Sequence, residues 1–188
     1  MLALLRTLFD IIRLRKGPDA IPYSWLVCLI VLSLWLFAGL VMSAVFVEMD
    51  DQDFLLGTFT GVVGLACYAS IVVLSGHTPR LLQTVTAILG CGAIISFLFV
   101  VAMVGLPPFF SFIAGTVGLS RFFNEVTVSL ITTLLLLWSI PVEGHIIARA
   151  IDRHWYVGIV AAMAVFFFQL FLYLLLSPTT QVAADTVI

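Results

Sequence analysis

The chain is 188 residues long, 63% hydrophobic and 10% charged, with 8 basic and 10 acidic residues and a mean hydropathy of +1.24. Soluble domains carry roughly a quarter charged residues, so the composition rules out a water-exposed globule and marks one integral membrane domain, 1–188. A net charge of −2 argues against a nucleic-acid partner, because phosphate binding needs a clustered Lys/Arg surface.

Residues 2–16 place Leu4, Leu5, Leu8, Ile11 and Ile12 on one helical face, while Arg6, Asp10, Arg13 and Lys16 fall elsewhere. The pattern predicts an amphipathic helix over 1–16 lying on the membrane surface, stopped by Gly17-Pro18 and Pro22. No cleaved signal peptide is expected, since the first long apolar run starts only near residue 21 and is itself long enough to cross.

Apolar runs then predict five transmembrane helices, at about 23–47, 54–75, 81–105, 126–148 and 155–176. Tyr23 and Trp25 mark the headgroup level of the first, and the acidic turn 48–53 ends it. Gly57, Gly61 and Gly64 form a strip on the second that predicts close packing against a neighbouring helix. The segment 107–120, between Pro107-Pro108 and Arg121, is too short to cross and is expected to be interfacial or re-entrant. Pro141 should kink the fourth span near its end. The fold class is therefore all-α, a polytopic five-helix membrane bundle with an N-terminal interfacial amphipathic helix.

Five spans put the termini on opposite sides. With the N-terminus cytoplasmic, Arg6, Arg13, Arg15, Lys16, Arg80, Arg149 and Arg153 lie inside and only Arg121 outside, as the positive-inside rule demands. The C-terminus is then on the far side, in what reads as a bacterial inner membrane.

Polar chemistry is concentrated between Trp138 and Trp155. His145, Arg149 and Asp152 share one helical stripe and Glu143 points to the opposite side. Glu143 and His145 are expected at a wet helix end, with local pairing to Arg149, Arg153 or Arg80. His77, His145 and His154 belong to the same side and could converge on a metal with Glu143 or Asp152, but no His-x-x-x-His pattern fixes two ligands on one face. No cofactor is expected. Cys28, Cys67 and Cys91 sit singly in apolar runs and read as buried small hydrophobes. No Gly-x-Ser-x-Gly turn, P-loop or paired intramembrane carboxylates support an enzyme, and five spans do not divide into the equal halves of a transporter.

Lys16-Gly17-Pro18-Asp19 before the first span, Leu81-Leu-Gln-Thr-Val-Thr-Ala-Ile-Leu-Gly90 and Pro141-Val-Glu-Gly-His-Ile-Ile-Ala-Arg149, set in this order of elements, resemble the Yip family of five-span membrane proteins, in its small bacterial form. The resemblance implies a non-enzymatic role in membrane organisation, with the lipid bilayer, other integral membrane proteins or further copies of the chain as partners. Eukaryotic members bind Rab-type GTPases through a long polar region ahead of the spans. Only residues 1–22 precede the first span here, so Rab binding is not carried over. The residues expected to make contact are Glu143, His145, Arg149, Asp152, His77 and Arg80. The alternative is a subunit of a proton- or ion-coupled transport or respiratory complex, with Glu143 and His145 as a relay.

Overall fold

A computed structural model of the protein describes residues 2–45, 51–114 and 117–177. Among these, regular structure is helical throughout: α1 (Leu2–Ile12), a 3-10 turn (Pro18–Ala20), α2 (Trp25–Val45), α3 (Asp51–Leu74), a second 3-10 turn (Thr78–Arg80), α4 (Leu81–Ala114), α5 (Val117–Ala150) and α6 (Trp155–Leu176). Five stretches are long and apolar enough to cross a membrane: Trp25–Val45, Phe54–Leu74, Thr78–Gly105, Ser129–Ala150 and Trp155–Leu176. Hydroxyls within them, including Ser33, Ser70, Thr84 and Thr86, donate to carbonyls four residues back in their own helix. An apolar run can carry them into lipid because nothing else there would satisfy them.

The antiparallel pair α4 and α5 forms the centre of the bundle. α2 packs along α4, α6 along α5, and α3 fills in against α6 and α4. Each central helix is 34 residues long, about 51 Å at ~1.5 Å per residue, against a hydrocarbon core of ~30 Å. Segment 107–120, expected as a separate interfacial or re-entrant piece, is helical instead: 107–114 continue α4 through Pro107-Pro108 and 117–120 open α5. Missing N–H groups at two prolines did not end the helix. Residues 115–116 lie outside the described residues, as do 46–50 of the expected acidic turn, whose remaining residues 51–53 open α3.

The N-terminal helix differs most from expectation. It ends at Ile12 rather than at Gly17, because Leu14 adopts a left-handed conformation (φ 59°) that closes the helix with two back-bonds, Arg15 N–H to the Asp10 carbonyl and Leu14 N–H to that of Ile11. Its apolar face does not lie on lipid alone. Leu8, Ile11 and Ile12 are buried in one cluster with Ala87, Cys91, Ile94, Val142 and Ile146 of α4 and α5. Gly90 makes room for Leu8, whose Cδ2 would lie 2.7 Å from any Cβ there, and the Trp138 indole donates to the Ile12 carbonyl (3.3 Å). Amphipathic spacing shows which face is apolar. It does not say whether that face meets lipid or protein.

The glycine strip is likewise divided. Nothing lies within 4 Å of a Cβ added at Gly57, Gly61 faces the Trp35 ring of α2, and Gly64 faces the Gln169 side chain of α6. Gly57 is therefore not a helix contact, and the other two receive side chains, not a helix backbone. A close backbone approach lies between α5 and α6, where a Cβ on Gly158 would sit 1.9 Å from the Gly144 carbonyl oxygen.

Candidate functional site

Three separate stretches meet at the end of the bundle where α4 begins and α5 ends. The Arg80 Nη1 donates to the carbonyls of Arg149 (3.1 Å) and Ala150 (3.5 Å), capping α5 where its last carbonyls lack helical partners. Nε2 of His145 donates to the Lys16 carbonyl (3.1 Å), and Gln83 Nε2 to that of Ile21 (2.6 Å). At Gly17 the chain passes so close to α5 that an added Cβ would lie 3.1 Å from Cβ of Arg149. The turn after α5 follows the chemistry that ends α1: Asp152 is left-handed (φ 57°), and Arg153 N–H returns to the Ala148 carbonyl (2.9 Å). Asp152 is one of the few residue types that tolerates this conformation well.

The result is an open groove of about 520 Å³ lined by His145, Arg149, Asp152, Arg153, His154 and Trp155. The predicted stripe of His145, Arg149 and Asp152 therefore borders a common space. Among the described residues the salt bridge is Lys16–Asp10 (2.8 Å), beside α1. Neither groove arginine forms a salt bridge with a carboxylate among the described residues.

Glu143 is elsewhere, and its surroundings overturn the expected pairing with arginine. It accepts a hydrogen bond of 2.5 Å from the Tyr68 hydroxyl of α3 and lines a cavity of about 100 Å³ with Tyr68, Gln169, Trp35, Gly61 and Gly92. Gln169 spends its amide on the Thr60 carbonyl (3.0 Å), tying α6 to α3. The cavity is polar at several points along its wall and roomy enough for water. Glu143 and His145 are on opposite sides of α5, as their spacing required.

His145 and His154 border the same groove, but the three histidines do not gather at one point. His77 donates Nδ1 to the Ser75 carbonyl (2.8 Å), His145 is committed to Lys16, and His154 stacks on Tyr156 (5.5 Å between centroids). No three His, Cys, Asp or Glu side chains among the described residues are grouped to hold a metal. Cys28 and Cys91 are buried and Cys67 is half-buried, all as free thiols.

Sequence reasoning missed Tyr68, Gln169 and the Gly144–Gly158 contact. A signal for Gln169 was present, since it is a lone amide in Phe166-Phe-Phe-Gln-Leu-Phe171, where a polar group must find a partner. Compared with family models, with curated proteins and with solved structures, the chain matches none.

Proposed function

We propose that the protein is a non-enzymatic, Yip-like component of a bacterial inner membrane that works by contact, organising the membrane or serving as an accessory subunit, with its N-terminus cytoplasmic and its C-terminus opposite. One observation carries the reading. Inter-element hydrogen bonds from Arg80, Gln83 and His145 tie one polar end together, yet among the described residues two arginines on it have no salt bridge to a carboxylate around an open groove. A rigid cationic face with nothing of its own to bind suits a partner better than a reaction. The test is a photoreactive residue at Arg153 in native membranes. A discrete adduct, to lipid, to another protein or to a second copy, is expected above the background of the same probe at Leu134, an exposed site on α5. Labelling at 153 no stronger than at 134 overturns the reading.

The Glu143–Tyr68 cavity supports a second reading, a subunit of a proton- or ion-coupled transport or respiratory complex. Here Glu143 would work with Tyr68 and Gln169, without His145, which faces another space. Ion flux in proteoliposomes should fall with Glu143→Gln and persist with His145→Gln. Flux unchanged by Glu143→Gln removes it.

A further inference from the structure

We propose that the groove between the end of α5 and the start of α6 is a binding site for one anionic glycerophospholipid, its phosphate held by Arg149 and Arg153. This rests on the contact reading above and names the partner. Arg149 stands in the last turn of α5 and Arg153 just beyond the left-handed Asp152, both on the groove wall, and the stem of Arg149 runs close beside Gly17. Guanidinium forks match phosphate oxygens in pairs. α6 starts beside them with no side chain capping its N-terminus, so its first N–H groups add positive potential on the same side.

Two further features select a lipid over a soluble phosphate or an acidic peptide. Tyr23, Trp25, Trp155 and Tyr156 are all exposed, by 65%, 69%, 66% and 57%, and stand at the starts of α2 and α6, two of the helices that enter the bundle from this end. Such a ring of aromatics marks the headgroup level, which puts the groove at the depth of lipid phosphates. Below it, Tyr156, Val160, Met163 and Phe167 follow one another at helical spacing on α6 and are all exposed, an apolar track along which an acyl chain can lie. His154, stacked on Tyr156, joins groove to track. Asp152 is the one carboxylate in the groove wall; with two arginines against it, the local balance still favours an anion.

The experiment is native mass analysis of the full chain, titrated from mild detergent with phosphatidylglycerol or phosphatidylcholine. Preferential binding of one phosphatidylglycerol is expected, weakened about tenfold in Arg149→Gln/Arg153→Gln, the scale expected of two basic residues near a membrane surface after screening. Asp152→Asn should tighten it, because asparagine accepts the left-handed backbone and removes the only opposing charge. This gain guards against a loss caused merely by misfolding. Excess inorganic phosphate should displace the lipid poorly. Equal binding of the two lipids, no effect of Asp152→Asn, or full displacement by inorganic phosphate each overturns the lipid assignment. A protein adduct at position 153 with no lipid preference would sink this proposal and leave the contact reading standing; loss of both would end both.

Discussion

Gly158→Ala should separate α5 from α6. The new Cβ would lie 1.9 Å from the Gly144 carbonyl oxygen and 2.8 Å from both the backbone nitrogen and Cβ of Ala148. None of these atoms can swing away, since two are backbone and the third is fixed to it. Reaching even 3.0 Å, the shortest separation real Cβ atoms tolerate, requires the helices to part by about 1 Å. A gap of 0.5–1 Å forfeits roughly a quarter to a half of each dispersion contact, here along the seam that buries Gly158, Ala162 and Val165. Overpacking in proteins typically costs ~1–3 kcal/mol, and relief that must come from backbone belongs at about 3 kcal/mol. Gly57→Ala is the matched control: with nothing within 4 Å it should change stability by less than about 0.5 kcal/mol. Unfolding by SDS in mixed micelles, followed by circular dichroism, measures both. Equal stability of the two variants, whether both intact or both damaged, refutes the packing argument.

The remaining predictions concern α1, the cavity, the α5 cap and acid. Gly90→Val should push Leu8 off α4 and unseat α1, exposing Cys91, now 1% exposed, to a membrane-permeant thiol reagent in a chain lacking the other two cysteines; unchanged labelling would show that α1 adapts. Tyr68→Phe should cost ~1–3 kcal/mol by stripping Glu143 of its donor, whereas Glu143→Gln, which keeps an acceptor, should cost less, and a double-mutant cycle in the same SDS assay would show the coupling. Arg80→Gln should lower stability by about 1 kcal/mol and raise deuterium uptake at 147–153, where its guanidinium holds the end of α5. Asp10 is held below its ordinary value of 3.8, chiefly by the hydrogen bond from Lys16; desolvation opposes this, and the positive charges of Lys16, Arg15 and Arg6 add to the lowering. A lowered carboxyl adds stability above its unfolded value that disappears as pH falls through the folded one. The advantage of wild type over Asp10→Asn should therefore stay constant through neutral pH and be lost in acid, as pH falls below 3.8 and through the lowered folded value.

Long elements were legible because lipid imposes a length that a run of apolar residues either has or lacks, and the five stretches agree with expectation to within a few residues at most ends. Contacts between helices were far less so. A glycine in an apolar run looks the same whether it meets backbone, as Gly158 does, a side chain, as Gly61 does, or open space, as Gly57 does. Periodicity assigned Glu143 and His145 to opposite faces, which the structure bears out, but it could not say that Tyr68, 75 residues earlier, stands opposite Glu143. Proximity to the helix end made water the default partner, and burial against α3 replaced it.

α1 adds a step that neither sequence nor span count supplies. Gly90 is nine residues into α4 and Trp138 twelve from the end of α5, so at ~1.5 Å per residue the helix rests about 14 to 18 Å along them from the end carrying the groove and the aromatic ring. Yet Arg6 and Arg13 are exposed on it, and Lys16 half so, beside exposed Leu5 and Phe9. Charge that far below the headgroups is tolerated only where long side chains snorkel outward or water and headgroups sink to meet them. In a bilayer with the aromatic ring at the headgroups, the polar boundary would have to dip on the α1 side, while the α2 and α6 sides, whose first two turns expose Leu26, Leu29 and Val160, would hold it up. An uneven boundary around one small bundle would bend a surrounding leaflet. The depth of the N-terminal helix would then bear on the proposed role in membrane organisation independently of what fills the groove.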